Sequence, residues 1–429
     1  MKFTLNTVTK CSGRLGLLGG LERLPNLNLE TPAIICHTKG GSIPHLSKEA
    51  TLYLANDPSG FLQVSISNTV HMQGAVRTTF AEFIARKESA TLLVFRDPSE
   101  TLIPGVPEKE AVPIFTRCGR RNIAVEDYMS LVEAFRPDAY VPLYDADTEP
   151  GSSKKREQKS IDRTEKFVEQ CLQWHRKSDV LRSSSIIGPV VGGYNPKLRE
   201  KSVEFLRAAD IEFGGYLIDG LHLHGPTVQQ LDRPAAVSIV TEVCKQLPDE
   251  KVRFCFGAFD PRLVLEMIIA GVDVFDTSYV FVKAAQEHRA LIFSFDVNAP
   301  AAAETQQTEL DTTDARWEED FEPLLPGCTC HTCRKSTKAY LHHLYNTREM
   351  LGPILLMIHN MHHYTEFFKT IRHHVANDTL PQLLEHLIPQ QSLPPYVPDK
   401  KDKKQASLTE EEEKPPIDGE DKHSKKQRA

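Results

Sequence analysis

The feature that most constrains this chain is a repeat of short apolar runs separated by amphipathic stretches, recurring at roughly 30-residue intervals. It becomes regular near residue 90. The runs are Thr91-Leu92-Leu93-Val94-Phe95, Ala139-Tyr140-Val141-Pro142-Leu143-Tyr144-Asp145, Ser185-Ile186-Ile187-Gly188-Pro189-Val190-Val191-Gly192-Gly193, Tyr216-Leu217-Ile218, Val252-Arg253-Phe254-Cys255-Phe256 and Val272-Asp273-Val274-Phe275-Asp276. Helical patterns lie between them: one begins at Val125 and stops before Pro137, and others cover 162–177, 196–208, 228–246 and 261–270. The runs are apolar on both parities, as strands covered on two faces must be, so a parallel sheet wrapped by helices is predicted. Upstream, Ala33-Ile34-Ile35-Cys36 and Phe61-Leu62-Gln63-Val64-Ser65-Ile66 read as earlier strands, the first ending near Gly40. This number of units favours an α/β fold of the (β/α)8 TIM-like type over an open doubly wound sheet. No G-x-G-x-x-G segment supports a dinucleotide crevice.

At 429 residues the chain has room for one large barrel and an appended subdomain. Residues 1–300 are expected to form the barrel with N-terminal strands, 301–388 a metal-binding helical subdomain that completes it, and 389–429 a disordered charged tail. A second polar stretch, 149–160 (EPGSSKKREQKS), also reads as disordered. The formal net charge of −7 excludes a surface that grips a phosphate backbone all over, so any nucleic-acid contact must be local or shared with a partner. The N-terminus lacks the apolar core of a signal peptide, and no run of about 18 apolar residues occurs, so a soluble chain is expected.

Three of the nine cysteines fall in Cys328-Thr329-Cys330-His331-Thr332-Cys333, next to the loop-forming Pro326-Gly327. Downstream, 350–374 has helical periodicity and carries His359 in the context Ile358-His359-Asn360-Met361. Three thiolates and one imidazole make a closed tetrahedral zinc site, with no open position for a substrate water. One structural Zn2+ per chain, held by Cys328, Cys330, Cys333 and His359, is therefore expected; His362 and His363 are the competing fourth ligands. The other histidines of this region, His342, His343, His373 and His374, are expected on exposed polar faces. The remaining cysteines, Cys11, Cys36, Cys118, Cys171, Cys244 and Cys255, are expected to be reduced, buried thiols of an intracellular protein.

With barrel rhythm and C-x-C-x2-C cluster in view, the chain resembles the tRNA-guanine transglycosylase family. That family places a histidine 25 residues after the last cysteine, as His359 stands here. Thr38-Lys39-Gly40-Gly41 is similar to its early T-x-G segment, Asn68-Thr69-Val70-His71 to its N-T-Y-H, and Gly271-Val272-Asp273-Val274-Phe275-Asp276 to the run that ends in its nucleophile. The resemblance implies base exchange: an aspartate attacks the ribose of a tRNA guanine and yields the covalent intermediate to an incoming 7-deazaguanine. Such a double displacement needs a carboxylate nucleophile and a second group to move protons.

The departures fall on those requirements. Asp276 keeps the nucleophile's position, whereas Asp97 in Val94-Phe95-Arg96-Asp97-Pro98-Ser99-Glu100 lacks the glycines and glutamine that shape the family's site. Val191, in Val190-Val191-Gly192-Gly193, replaces a glutamine that reads the base, and valine offers no hydrogen bond. Tyr144 takes the likeliest place of a second base-reading aspartate, with Asp145 adjacent, and Asp219 replaces a glycine before Gly220-Leu221. The arginines that follow the family's nucleophile are absent from Thr277-Ser278-Tyr279-Val280-Phe281-Val282-Lys283. Asp276 then reads as a vestigial candidate, a strand-end carboxylate held in turn hydrogen bonds.

This pattern is similar to the non-catalytic, accessory members of the family. It implies a heterodimer with a catalytic queuine tRNA-ribosyltransferase subunit that exchanges guanine for queuine at the wobble position of tRNAs with GUN anticodons. The accessory chain would support the catalytic subunit and position tRNA, with a homodimer as a further possibility. The implied location is the cytoplasm, peripheral to the mitochondrial outer membrane. The alternatives are an active transglycosylase using Asp276 with Asp97 or Asp145, and an unrelated barrel whose zinc segment is a docking module.

Overall fold

A computed structural model describes residues 1–11, 13–54, 58–102, 110–298 and 307–396. Met1–Leu393 forms one compact unit. Its centre is a closed barrel of eight parallel strands: β1 (Ala33–Thr38), β2 (Phe61–Ser65), β3 (Ala90–Val94), β4 (Ala139–Tyr140), β5 (Ser185–Val190), β6 (Gly215–Ile218), β7 (Val252–Phe254) and β8 (Val274–Asp276). Each pairs with the next in sequence, and β8 closes on β1 through Val274↔Ala33, Phe275↔Ile34 and Asp276↔Ile35. The predicted TIM-like barrel is the observed one. β4, β7 and β8 are shorter than the apolar runs that announce them; β4 keeps only Ala139 and Tyr140, because Val141 to Ala146 leave the sheet to build the barrel's C-terminal end.

Five helices follow β3 to β7 in turn: α1 (Val125–Phe135), α2 (Lys154–Lys177), α3 (Pro196–Ala208), α4 (Arg233–Gln246) and α5 (Pro261–Ile269). Their starts are chemically marked. Asn195, Asp232 and Asp260 accept backbone N–H groups of the first turn, and each precedes a proline at the first or second helical position, where no N–H is missed. The start of α4 at Arg233 follows from Asp232 and Pro234; the predicted start at 228 is instead a short 3-10 turn, Gly225–Gln230. The connections after β1 and β2 carry only short turns such as Ala50–Tyr53, Ile66–Thr69 and Phe80–Phe83.

The stretch 149–160 is a correction. Its residues from Lys154 onward are the first turns of α2, a 24-residue helix capped by Ser153, whose hydroxyl accepts the Arg156 N–H. No apolar periodicity announces these first turns, although the pattern over 162–177 announces the rest of the helix. It is fixed by ion pairs: Arg156 and Arg163 both reach the fully buried Asp145.

After β8 come Ser278–Phe281, a strand pair Arg289–Leu291 and Glu309–Asp311, and four helices: α6 (His331–Lys335), α7 (Lys338–Asn346), α8 (Leu351–Ala376) and α9 (Leu380–Leu387). The 26-residue α8 covers the β8 side of the barrel, with Phe368 against Phe275 at 6.0 Å between ring centroids. Asn360 locks α8 to the strand pair. Its amide accepts from Leu291 N–H and donates to the Arg289 carbonyl, each at 2.8 Å, so it replaces a missing strand neighbour.

Two further expectations are corrected. Of the histidines expected on exposed faces, His342 and His374 are buried, while His343 and His373 are exposed. A buried imidazole needs a partner: His342 meets the Thr312 carbonyl at 3.2 Å, and His374 the Thr379 hydroxyl at 2.8 Å. Among the cysteines, Cys36, Cys171, Cys244 and Cys255 are buried, but Cys11 is half-buried and Cys118 is exposed at the turn of a hairpin, Ala111–Thr116 with Gly119–Ala124. The tail expected over 389–429 lies from 397 onward outside the described residues; nearer, the Gln391 carbonyl accepts the Thr308 N–H at 2.9 Å. No helix among the described residues is long and apolar enough to cross a membrane.

Candidate metal centre and barrel mouth

The metal-ligand candidates converge. Gly327 adopts φ +80°, the left-handed turn that delivers Cys328, and Cys330 caps α6, its sulfur accepting the Cys333 N–H at 3.2 Å. His359 projects from α8 into the same point. Its Nδ1 lies 3.8, 3.5 and 3.3 Å from the sulfurs of Cys328, Cys330 and Cys333. Bonds of about 2.3 Å to sulfur and about 2.05 Å to nitrogen in a tetrahedron set sulfur–nitrogen edges near 3.6 Å, so the four donors fit around one ion. The other ring nitrogen, Nε2, donates to the Leu291 carbonyl at 2.9 Å, which fixes the tautomer and leaves Nδ1 free to ligate. The group can hold a metal ion, and its donor set is compatible with zinc.

Neither competing histidine is among the four converging donors. His363 donates through Nε2 to the Phe293 carbonyl at 3.0 Å, and burial pushes its pKa down to about 3. His362 lies 3.4 Å from the Thr329 hydroxyl.

The C-terminal end of the barrel, where this architecture places chemistry, is occupied by the chain's own side chains. Asp276 ends β8 with 1% of its surface exposed, and its two carboxylate oxygens accept Gly257 N–H at 2.8 Å and Ser278 N–H at 2.6 Å. Burial raises its pKa to about 6. A nucleophile needs a lone pair directed at open space; here the carboxylate is buried, with each oxygen anchored to a backbone N–H.

Asp97, although it lacks the glycines and glutamine of the family's site, is surrounded by partners. His37 Nε2 and Lys39 Nζ each lie 2.8 Å from it, Ser99 N–H donates at 2.7 Å, and Asn68 donates to its other oxygen. Burial alone would raise its pKa; His37, and then Lys39, hold it well below the usual carboxylate range. Asp145 is likewise buried, and the pairing with Arg156 and Arg163 outweighs its burial and lowers its pKa. Neither carboxylate is available to move protons at Asp276.

The base-reading positions are closed too. Val191 is fully buried. Beneath Gly192 and Gly193, the buried Arg199 guanidinium donates to the carbonyls of Gly193, Val190 and Asp219 at 2.9, 2.7 and 2.7 Å. Burial brings its pKa down to about 10. A Cβ on Gly192 would come within 2.9 Å of the α3 backbone, so α3 packs directly on this turn. Tyr144 donates to Asp219 at 2.7 Å, and Arg96 pairs with Asp147.

Two loops then meet across the opening. Leu102 N–H donates to the Leu223 carbonyl at 2.6 Å and Gly225 N–H to the Pro98 carbonyl at 3.0 Å, joining the loop after β3 to the loop after β6. Asp219, His222 and His224 lie in that second loop, all buried, with one ligating atom from each within 4.8 Å of the others. Their hydrogen bonds are largely internal: Gly220 N–H donates to Asp219 at 2.7 Å and His224 N–H to His222 Nδ1 at 3.2 Å. Burial pushes the His222 pKa down to about 3.

Sequence reasoning singled out Asp97, Asp145, Val191 and Asp276 but missed what surrounds them: His37, Lys39, Arg96, Arg156, Arg163 and Arg199. The arginines carried one readable signal, their number in segments that follow predicted strands; the pairing itself is tertiary.

Comparison with known proteins agrees with this geometry. The profile of the family described as queuine tRNA-ribosyltransferase matches residues 10–392. A protein of Anopheles gambiae named queuine tRNA-ribosyltransferase accessory subunit 2 is 68% identical over 434 residues, 100% of each chain. Proteins of the same name from Culex quinquefasciatus and Aedes aegypti are 56% and 51% identical, over 90% and 99% of this chain and 91% and 99% of their own. On both the profile match and these identities, the chain belongs to the queuine tRNA-ribosyltransferase family.

Proposed function

We propose that the chain is the non-catalytic subunit of a heterodimeric queuine tRNA-ribosyltransferase. Its partner is a catalytic subunit of the same family, and the complex exchanges guanine for queuine at the wobble position of tRNAs with GUN anticodons. One observation carries the reading: both oxygens of Asp276 are held by backbone N–H groups in a barrel mouth filled by the chain's own side chains. A carboxylate so held, with 1% of its surface exposed, does not face a space in which an anomeric carbon could reach it. The names of the relatives support the same division of labour.

Cys328, Cys330, Cys333 and His359 hold one zinc ion in this proposal. Four protein ligands leave no coordination position for substrate, so the ion's contribution is to fold the segment that joins α6 to α8. The barrel and this segment support the catalytic subunit and help to position tRNA. A homodimer of this chain is a second assembly compatible with the proposal. The complex works in the cytoplasm, peripheral to the mitochondrial outer membrane.

Co-purification with a catalytic homologue, followed by queuine incorporation with each subunit alone and with both, tests the proposal. Equimolar assembly with activity only in the mixture is expected. Exchange by this chain alone overturns it. Fractionation of cells tests the location: recovery of the chain in a nuclear or luminal fraction contradicts it.

A further inference from the structure

The cations at the C-terminal rim of the barrel fall into two sets. The inner set is neutralised. Lys39 pairs with Asp97 and Glu100, Arg96 with Asp147, Arg156 and Arg163 with Asp145, and Lys166 with Glu110. The outer set is unopposed: Arg117, Arg121, Lys154, Lys155 and Lys159 are all exposed and make no ion pair among the described residues.

These outer cations sit on rigid elements. Arg117, Arg120 and Arg121 occupy the end of the hairpin Ala111–Thr116/Gly119–Ala124, which is paired to its last residue, Thr116↔Gly119. No Asp or Glu occurs from Ala111 to Val125. Lys154, Lys155 and Lys159 are on the first turns of α2, where positive charge opposes the helix dipole and so does not serve the helix itself. The hairpin and α2 belong to neighbouring connections, after β3 and β4, and touch where Arg163 donates to the Ala111 carbonyl and Lys166 pairs with Glu110. With six-residue strands the hairpin extends about 20 Å, enough to span several phosphates of a nucleic-acid strand.

We infer that this rim, formed by Arg117, Arg120 and Arg121 with Lys154, Lys155 and Lys159, binds the sugar-phosphate backbone of the tRNA on which the complex acts. The inference rests on the proposed function for the identity of the RNA, and on charge and exposure for the surface. A chain of net charge −7 binds a polyanion only where cations are not neutralised by its own carboxylates, and among the described residues none pairs with Arg117, Arg121 or the three lysines. An anionic membrane fits less well. Membrane-surface elements combine cations with exposed apolar side chains; the large exposed apolar residues, such as Leu52, Phe321 and Met350, lie outside both the hairpin and the start of α2.

The test measures tRNA binding by the full chain and by its complex with the catalytic subunit over a series of salt concentrations. Arg117→Gln/Arg121→Gln and Lys154→Gln/Lys155→Gln/Lys159→Gln are compared with wild type, and Lys166→Gln is the paired-cation control. Removing one cation that meets a phosphate lowers the slope of log affinity against log salt by about 0.9 or slightly less, so slopes reduced by roughly 2 and 3 are expected, with affinity down about tenfold or more. Unchanged slopes in both variants overturn the inference. A second arm needs no variant: tRNA should protect Lys154, Lys155 and Lys159 of the wild-type chain from amine acylation, and equal labelling with and without tRNA contradicts the inference. Vesicles of phosphatidylserine and phosphatidylcholine form a third arm. Loss of vesicle binding in the variants with tRNA binding intact assigns the rim to a membrane instead. The two readings fail separately: variants that bind tRNA normally in an active complex refute the rim and leave the accessory function standing. Weakened tRNA binding in a chain that pairs with no catalytic homologue does the reverse.

Discussion

The Cys328–His359 centre and the barrel mouth are built from the same kinds of polar side chain, but they are completed differently. At the first, three sulfurs and Nδ1 of His359 turn inward around a shared point, and Leu291 holds the outer ring nitrogen. Those four donors point at one another at the spacing that a single ion would span. At the second, Asp276, Asp97, Asp145 and Asp219 are each bound by the chain's own donors: Gly257 and Ser278, His37 and Lys39, Arg156 and Arg163, Tyr144 and Gly220. A site that must receive something leaves donors or acceptors to be satisfied by it; a site that receives nothing satisfies them itself. By this criterion the metal centre is a site and the four carboxylates of the mouth are core, whereas His37 Nδ1, the Gln63 amide and His224 Nδ1 beside them are buried without a hydrogen-bond partner among the described residues.

The largest effect is expected at the metal centre. Cys330→Ser, or exhaustive chelation, should remove about one zinc per chain and with it binding free energy on the order of 10 kcal/mol that is coupled to folding. Metal analysis and thermal unfolding measure both, and a metal-free chain that unfolds like wild type would make the centre no different from the mouth. Next comes Asp145→Ala, which leaves Arg156 and Arg163 facing a buried gap. A loss of about 4 kcal/mol is expected in denaturant unfolding, as for one partner removed from a buried ion pair; a change under about 1 kcal/mol would mean the pairs are not formed.

The third effect is a pH dependence. Asp276 has its pKa raised to about 6 by burial, so between pH 4 and 6 the folded chain holds a proton that the unfolded chain releases. Stability therefore falls as pH rises through that window, by up to about 3 kcal/mol from this group. Asp273, also raised to about 6 by burial, adds in the same direction. Asp276→Asn should remove its share and flatten the decline, whatever it does to stability at a single pH. Parallel curves for variant and wild type would show an Asp276 open to water. The smallest effect is expected from Val191→Gln. In a mouth that has room for a base it would restore a hydrogen-bonding group; in one already packed it should cost about 2 kcal/mol by overpacking and gain no queuine binding by calorimetry.

The sequence carried the barrel because apolar runs and caps such as Asn195-Pro196 and Asp260-Pro261 are local, and it carried the ligand set because Cys and His at fixed spacing leave few alternatives. It did not carry α2 before residue 162, since Lys154 to Lys159 have no apolar periodicity and are ordered by Asp145, which arrives from the end of β4. Nor did it carry the burial of His342, His363 and His374, each decided by an acceptor on another segment or past the helix end. The filling of the mouth was legible only as substitutions, Val191 above all; that loops after β3 and β6 close over it depends on pairing such as Leu102 with Leu223, more than a hundred residues apart.

In the proposed division of labour this chain frames an exchange that its partner performs. Exchange of radiolabelled guanine in tRNA should be measured with this chain alone, with the catalytic subunit alone, and with the complex carrying either wild-type Asp276 or Asp276→Ala. No exchange by this chain and equal rates for the two complexes are expected. Exchange by the isolated chain, or a complex silenced by Asp276→Ala while still assembled, would contradict it.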